Sequence, residues 1–287
     1  MSKERNAATF GFHAVYDNDY LSAIRAAAEN KFQYVQFDLN VSTFFLDTIS
    51  RHRLEEIRNT ADDLGVRIAF HAPGESIGMF TDSPVIRRGL LDQMKLILEK
   101  ANRLNAHHIT VHLLRPPEFP LADTGKDEFQ AKHHDYYKRV LQENLNELTR
   151  ASGAVLVTVE NFYLEGIAID ALDEMFLKGT DVFLALDWAK LHRADCTRDN
   201  EQYAFFQRHS DRIREIHIHD MDKMGKQHVV PGQGVLDFEP LMSKFYDGSQ
   251  WLTVEVRPLV EAVKARDYLQ KAMGEFVEHN KSLELSP

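Results

Sequence analysis

The sequence predicts a single α/β domain over residues 1–287, an eight-stranded barrel of βα units. Three observations lead there. Short apolar runs alternate with stretches of helical periodicity along the whole chain, which predicts parallel strands joined by crossover helices. A length of 287 residues is close to the roughly 250 typical of an eightfold barrel. No glycine-rich dinucleotide fingerprint follows the first strand, which weighs against an open doubly wound sheet.

The first strand is 9–13, and residues 19–30 follow it with Leu21, Ile24 and Ala28 at helical spacing. The second strand is 34–38. An amphipathic helix over 47–64 ends at Gly65, which suits a left-handed cap. The third strand, 67–71, runs into His71-Ala72-Pro73-Gly74, where proline and glycine force the chain out of the sheet. Ser83 and Pro84 open a helix over 84–105, with proline at its favoured first position. The fourth strand is 108–112. Pro116, Pro117, Pro120 and Gly125 make 114–130 a loop long enough to cover a substrate, and a helix over 132–151 follows. The remaining strands are 155–159, 182–186, 213–219 and 251–256, with helices over 169–177, 200–209, 237–246 and 260–279.

Strands five to eight end in Glu160, Asp187, His217 and Glu255, and strands three and four end in His71 and His112. Barrel enzymes carry their active sites at the carboxyl ends of the strands, so these side chains are expected to share one face. Carboxylate oxygens suit magnesium or manganese, and the imidazole also admits zinc or cobalt. One divalent ion (Mn, Mg, Co or Zn) is the expected cofactor.

With 34 basic against 44 acidic residues the formal net charge is −10, so the field of the chain repels polyanions. Nucleic acid and anionic membrane are therefore not expected partners. A lone cysteine, Cys196, excludes an intrachain disulfide and any cysteine-rich metal site. The polar start and the lack of any apolar run near the roughly 18 residues of a membrane span predict a cytoplasmic protein.

The order of these pieces carries a family likeness. His71-Ala72-Pro73, His112, Glu160-Asn161, Asp187, His217-Ile218-His219-Asp220, His228, Pro231-Gly232-Gln233-Gly234 and Glu255 together resemble the xylose isomerase-like TIM barrel superfamily. That superfamily holds sugar isomerases, ketose 3-epimerases, inosose dehydratases and endonuclease IV, and the resemblance covers nearly the whole chain. It implies one metal held by Glu160, Asp187, His217 and Glu255, with Glu160 and Glu255 also the acid/base pair. The implied reaction is isomerisation or epimerisation of a sugar, sugar phosphate or sugar-like polyol, by proton transfer next to a metal-bound carbonyl. A homo-oligomer is implied as well, since dimers and tetramers are common among relatives.

His71 and His112 match the histidines that hold a second zinc in endonuclease IV, so a second metal or a substrate is their implied ligand. Two ligands of that enzyme's third zinc are replaced by Lys190 and Lys226, and only His228 is retained. Ammonium groups offer a cation no lone pair, which weighs against an endonuclease IV-like phosphodiesterase acting on abasic DNA. A non-catalytic carbohydrate-binding barrel is the other alternative. Lys190, Lys226 and Arg257 are candidates for a substrate phosphate or carboxylate, although isolated lysines are more often solvated or salt-bridged. His192, His219 and His228 are candidate substrate contacts, and His219 and Asp220 are alternatively groups that orient His217.

Overall fold

Eight strands alternate with eight α-helices in the computed structural model, which describes residues 8–74 and 78–284 and side chains as far as residue 274. The strands are β1 (Thr9–Ala14), β2 (Tyr34–Asp38), β3 (Arg67–His71), β4 (His108–Val111), β5 (Leu156–Glu160), β6 (Val182–Asp187), β7 (Ile213–Ile218) and β8 (Trp251–Val254). Between and after them run α1 (Tyr20–Glu29), α2 (Arg51–Leu64), α3 (Pro84–Arg103), α4 (Glu128–Ala151), α5 (Ile167–Leu177), α6 (Asn200–Arg208), α7 (Glu239–Lys244) and α8 (Leu259–Glu284). The strands follow one another in chain order in one parallel sheet, and β8 closes on β1 with Thr9 opposite Trp251 and Phe12 opposite Val254. This is the (βα)8 barrel that the alternation predicts.

The chain forms two compact units. The first takes the residues up to Gln36, Leu64–Val66 and everything from Ala185 on; the second takes Phe37–Asp63 and Arg67–Leu184. In the first, β7 pairs with β8 in a register that sets Glu215 opposite Trp251 and His217 opposite Thr253. Its buried core includes Phe10, Ile24, Ile216, Leu252 and Val254. In the second, β4 pairs with β5, His108 opposite Leu156 and Val111 opposite Val159. Phe70, Ile109, Leu141, Leu145 and Val157 are buried there.

Every residue of β4 and of β8 is buried, as expected when helices cover the outer face of a parallel sheet. Buried polar side chains then mark the exceptions, and Glu160, Asp187, Glu215, His217, His219 and Asp220 are each 0% exposed.

Helices α5 and α7 begin two residues from the sequence expectation, at Ile167 and Glu239, and α2 and α4 differ by four, the latter two for reasons of capping. Residues 46–48 make a separate 3-10 turn, and α2 begins only at Arg51, where the Ser50 hydroxyl accepts from Arg53 N at 3.3 Å. In α4 the Asp127 carboxylate accepts from Gln130 N at 2.9 Å, so the helix opens at Glu128 rather than at 132. Pro84 does occupy the start of α3, but the Ser83 side chain makes no capping hydrogen bond. Gly65 sits at φ 66° after α2, the left-handed cap expected of it. Among the described residues no helix is long and apolar enough to cross a membrane.

Candidate active site

In the second unit the ends of β3, β4 and β5 bring three chemical groups together. His71 Nε2 lies 3.1 Å from His112 Nε2 and 3.2 Å from Glu160 Oε2, and His112 Nε2 lies 3.0 Å from the same oxygen. His71 Nδ1 faces the Ala72 carbonyl at 3.2 Å. A carbonyl only accepts, so Nδ1 carries the hydrogen and a neutral His71 ring turns its Nε2 lone pair toward Glu160. Three donor atoms about 3 Å apart match the edge spacing of a tetrahedral ion with bonds of about 2.0–2.1 Å. Phe162 stacks on the His112 ring, with centroids 4.5 Å apart.

In the first unit β6, β7 and β8 end in a second cluster. His217 Nδ1 stands 3.5 Å from Glu255 Oε1, and its Nε2 stands 3.1 Å from Glu215 Oε1. His219 Nε2 is 3.2 Å from Asp187 Oδ2 and 3.9 Å from Glu255 Oε2. Lys190 donates twice to Asp187, from its backbone N–H to Oδ1 at 3.1 Å and from its ammonium to Oδ2 at 2.9 Å. His13, at the end of β1, puts Nδ1 3.2 Å from Glu255 Oε1 and accepts there from Arg257 Nη2. Asp187 and Glu255 thus offer buried carboxylates and His217 and His219 buried imidazoles, donor types that suit a divalent cation, and the donor atoms of His219, His228 and Glu255 lie within 4.8 Å of one another. An ammonium already on Asp187 shows that the carboxylate attracts a positive charge.

The loop after β7 is organised by one buried carboxylate. Asp220 accepts from the backbone N–H groups of Met221 at 2.8 Å and of Gly232, Gly234 and Leu236 at 3.0 Å each. The glycine at 234 is required, because a Cβ there would lie 2.3 Å from Asp220 Oδ1 and from the Met221 carbonyl. The same loop holds His228 at φ 61°. Its N–H donates to His219 Nδ1 at 3.0 Å, and its own Nδ1 donates to the Glu255 carbonyl at 3.0 Å.

Charge shapes the histidines of this unit. Burial works against the His219 imidazolium, but the charge and hydrogen bond of Asp187, with the charge of Glu255, outweigh it and raise its pKa. The His228 amide opposes that protonation, since an N–H can only donate and needs a lone pair at Nδ1. The neutral ring with its hydrogen on Nε2 satisfies both Asp187 and the amide. For His228, burial first and then the charges of His219 and Arg257 lower the pKa. Burial also lowers that of His192.

Of the residues singled out in the sequence, His71, His112 and Glu160 come together in one unit, and Asp187, Lys190, His217, His219, His228, Glu255 and Arg257 in the other. Two stand apart. His192 turns Nδ1 to the Trp188 carbonyl at 3.1 Å, and the exposed Lys226 anchors its turn by donating its backbone N–H to Asp222 at 2.9 Å. The sequence reading missed His13 and Glu215. His13 ends β1 as the named ligands end their strands, and Glu215 lies two residues before His217, on the same face of the strand.

Comparisons with known proteins follow the same lines. A family model described as a xylose isomerase-like TIM barrel matches residues 24–272. The chain is 26% identical over 183 residues to the inosose dehydratase of Erwinia tasmaniensis, across 53% of this chain and 61% of that protein. The matched stretch therefore spans about three fifths of that relative's length. Among solved structures, a D-tagatose 3-epimerase-like protein superposes with a TM-score of 0.71 at 19% identity, covering 96% of this chain and 99% of the other. The IOLI protein, solved with a zinc atom bound, superposes with a TM-score of 0.70 at 15% identity, covering 93% of this chain and 99% of the other. At these identities the likeness to the solved structures is one of fold.

Proposed function

We propose that this chain, which belongs to the xylose isomerase-like TIM barrel family, is a divalent-metal-dependent isomerase or epimerase of a sugar or sugar-like polyol. The buried set of Asp187, His217, His219 and Glu255, in which His219 reaches both Asp187 and Glu255 and His217 reaches Glu255, is the observation that carries this activity. Asp187, His217 and Glu255 would hold the ion, and the sequence adds Glu160 as a fourth ligand from its place at the end of β5. When bound, the ion polarises the carbonyl and hydroxyl oxygens of the sugar.

The chain's own residues do the rest. Glu255 is the carboxylate that takes the proton from the carbon next to the substrate carbonyl, and the family resemblance implies Glu160 as the second acid/base group. His13 lies against Glu255 and accepts from the Arg257 guanidinium, which brings that positive charge to the same end of the strands. His219 and the Lys190 backbone N–H hold the Asp187 carboxylate in one orientation, and the Lys190 ammonium lies on Oδ2 as a counter-charge that the ion replaces. His228, tied to His219 and to the Glu255 backbone, would meet substrate hydroxyls, a role its hydrogen bonds to these groups support.

Proton exchange tests the activity. Protein loaded with manganese, cobalt, magnesium or zinc is incubated with ketoses and inososes in deuterated water, and deuterium incorporation next to the carbonyl is followed by NMR. Incorporation that Glu255→Gln abolishes is the expected result. Binding of sugars without exchange under any of these metals would point instead to a carbohydrate-binding barrel.

The geometry of His71, His112 and Glu160 supports a second ion in the other unit. Metal stoichiometry decides this: two ions per chain in the wild type and one in His71→Ala is the outcome expected of it.

A further inference from the structure

We propose that Glu215 is a positioning residue, which holds the His217 ring by Nε2 and so presents Nδ1 as the donor atom for the cation. This rests on the assignment of Asp187, His217 and Glu255 as metal ligands.

Glu215 is fully buried in β7, below the level at which the strands end. A buried carboxylate costs several kcal/mol unless hydrogen bonds replace its hydration, so its partners define what it does. Oε1 receives Gln36 Nε2 at 2.7 Å, the Thr253 hydroxyl, and His217 Nε2 at 3.1 Å. The Thr253 hydroxyl, which gives its hydrogen to Glu215, accepts in turn from Tyr34 OH at 2.6 Å. The Tyr34 ring is held against Trp251, with centroids 4.6 Å apart, and fills the space left by Gly11, where a Cβ would lie 2.4 Å from the ring. Residues of β1, β2, β7 and β8 therefore build one support whose donors all lead to a single oxygen, and His217 is the member of that set that faces the site.

Direction matters in this chain. Oε1 is an acceptor for Gln36 and Thr253, so the hydrogen it shares with His217 comes from Nε2. Gln36 Nε2 also passes 3.4 Å from His217 Nε2, too long to compete with the contact to Glu215. A neutral imidazole with its hydrogen on Nε2 keeps its lone pair on Nδ1, the atom that faces Glu255 Oε1 at 3.5 Å. Two lone-pair atoms that face each other repel until a cation lies between them. A carboxylate that orients a ligating histidine in this way typically accounts for about 10–100-fold in metal affinity. A polar plug in the barrel floor would need Gln36, Thr253 and Tyr34 but no contact with His217.

The test is made on metal-stripped full-length protein, titrated calorimetrically with MnCl2, in the wild type, Glu215→Gln, Thr253→Val and His217→Ala. Nitrogen-15 spectra of histidine-labelled wild type are recorded alongside. Expected are wild-type binding, a loss of about 10–100-fold in Glu215→Gln, a smaller loss in Thr253→Val, and a His217 ring in the Nε2–H form. Glu215→Gln that melts as a folded protein and binds Mn2+ like the wild type would overturn the proposal, as would a wild-type His217 ring in the Nδ1–H form. Should Glu215→Gln fail to fold, Thr253→Val and the wild-type spectrum decide. Absence of Mn2+ binding in the wild type, or unaltered binding in His217→Ala, would instead defeat the ligand assignment itself.

Discussion

Lys190 places its ammonium on Asp187 Oδ2 at 2.9 Å, an oxygen of the carboxylate proposed to hold the metal ion. Two cations cannot share that oxygen without repulsion, so removing one should favour the other. Lys190→Met is expected to tighten Mn2+ binding by about tenfold, equivalent to roughly 1.4 kcal/mol, in calorimetric titration. Weaker binding would mean that Lys190 serves the site by orienting Asp187 instead. Glu255→Gln should keep the fold and lose at least about a hundredfold in turnover, the scale of a missing acid/base group. At this scale the sequence disclosed the residues that end strands and hid those that support them. Glu160, Asp187 and Glu255 are legible because an acid after an apolar run needs a reason. Glu215 carries no such mark: its partners Gln36 and Thr253 come from β2 and β8, and only folding brings them together. His13 was passed over because its pairing with Arg257 and Glu255 joins the two ends of the chain.

The loop after β7 shows what a single element contributes. Its four backbone donors converge on Asp220, whose place in the core they make tolerable. Asp220→Ala leaves these donors without their acceptor and should destabilise the protein by about 2–4 kcal/mol, read as a lowered midpoint in urea unfolding. It should also release His228 and raise KM more than it lowers kcat. A stability unchanged within error would contradict this account of the loop. The sequence showed the glycines of this loop but not the reason for them, since the clash that forbids a side chain at 234 is with Asp220, fourteen positions earlier. Helix starts were legible where a proline or an isolated cap marked them, as at Pro84. Asp19 closes a capping box with Ser22, whereas Ser50 and Asp127 lie among other polar residues that offer the same chemistry.

For the whole molecule, pH is the simplest probe. In the unfolded chain His192 titrates near its ordinary value of about 6.5, whereas burial holds it lower in the folded state. As pH falls the unfolded chain takes up the proton first, so the stabilisation is complete above that range and is lost as pH drops through it. His228, lowered first by burial, adds in the same direction. Thermal melts between about pH 8 and about pH 5 should show a decline that His192→Asn flattens; an equal slope in both proteins would contradict the assignment. The barrel itself was legible because a parallel sheet covered on both faces writes eight apolar runs into the sequence, from Thr9 to Val254, with helices between them. The chemistry was only half legible, because a metal site is a matter of distances that no spacing along the chain reveals.

Metal content per chain, measured by mass spectrometry on untagged protein for the wild type and for Glu255→Gln, tests the central claim most directly. One or two equivalents of a divalent metal in the wild type, reduced in the variant, is the result expected of a metal-dependent isomerase or epimerase. No metal in either protein, even after reconstitution with manganese, cobalt, magnesium and zinc, would contradict it.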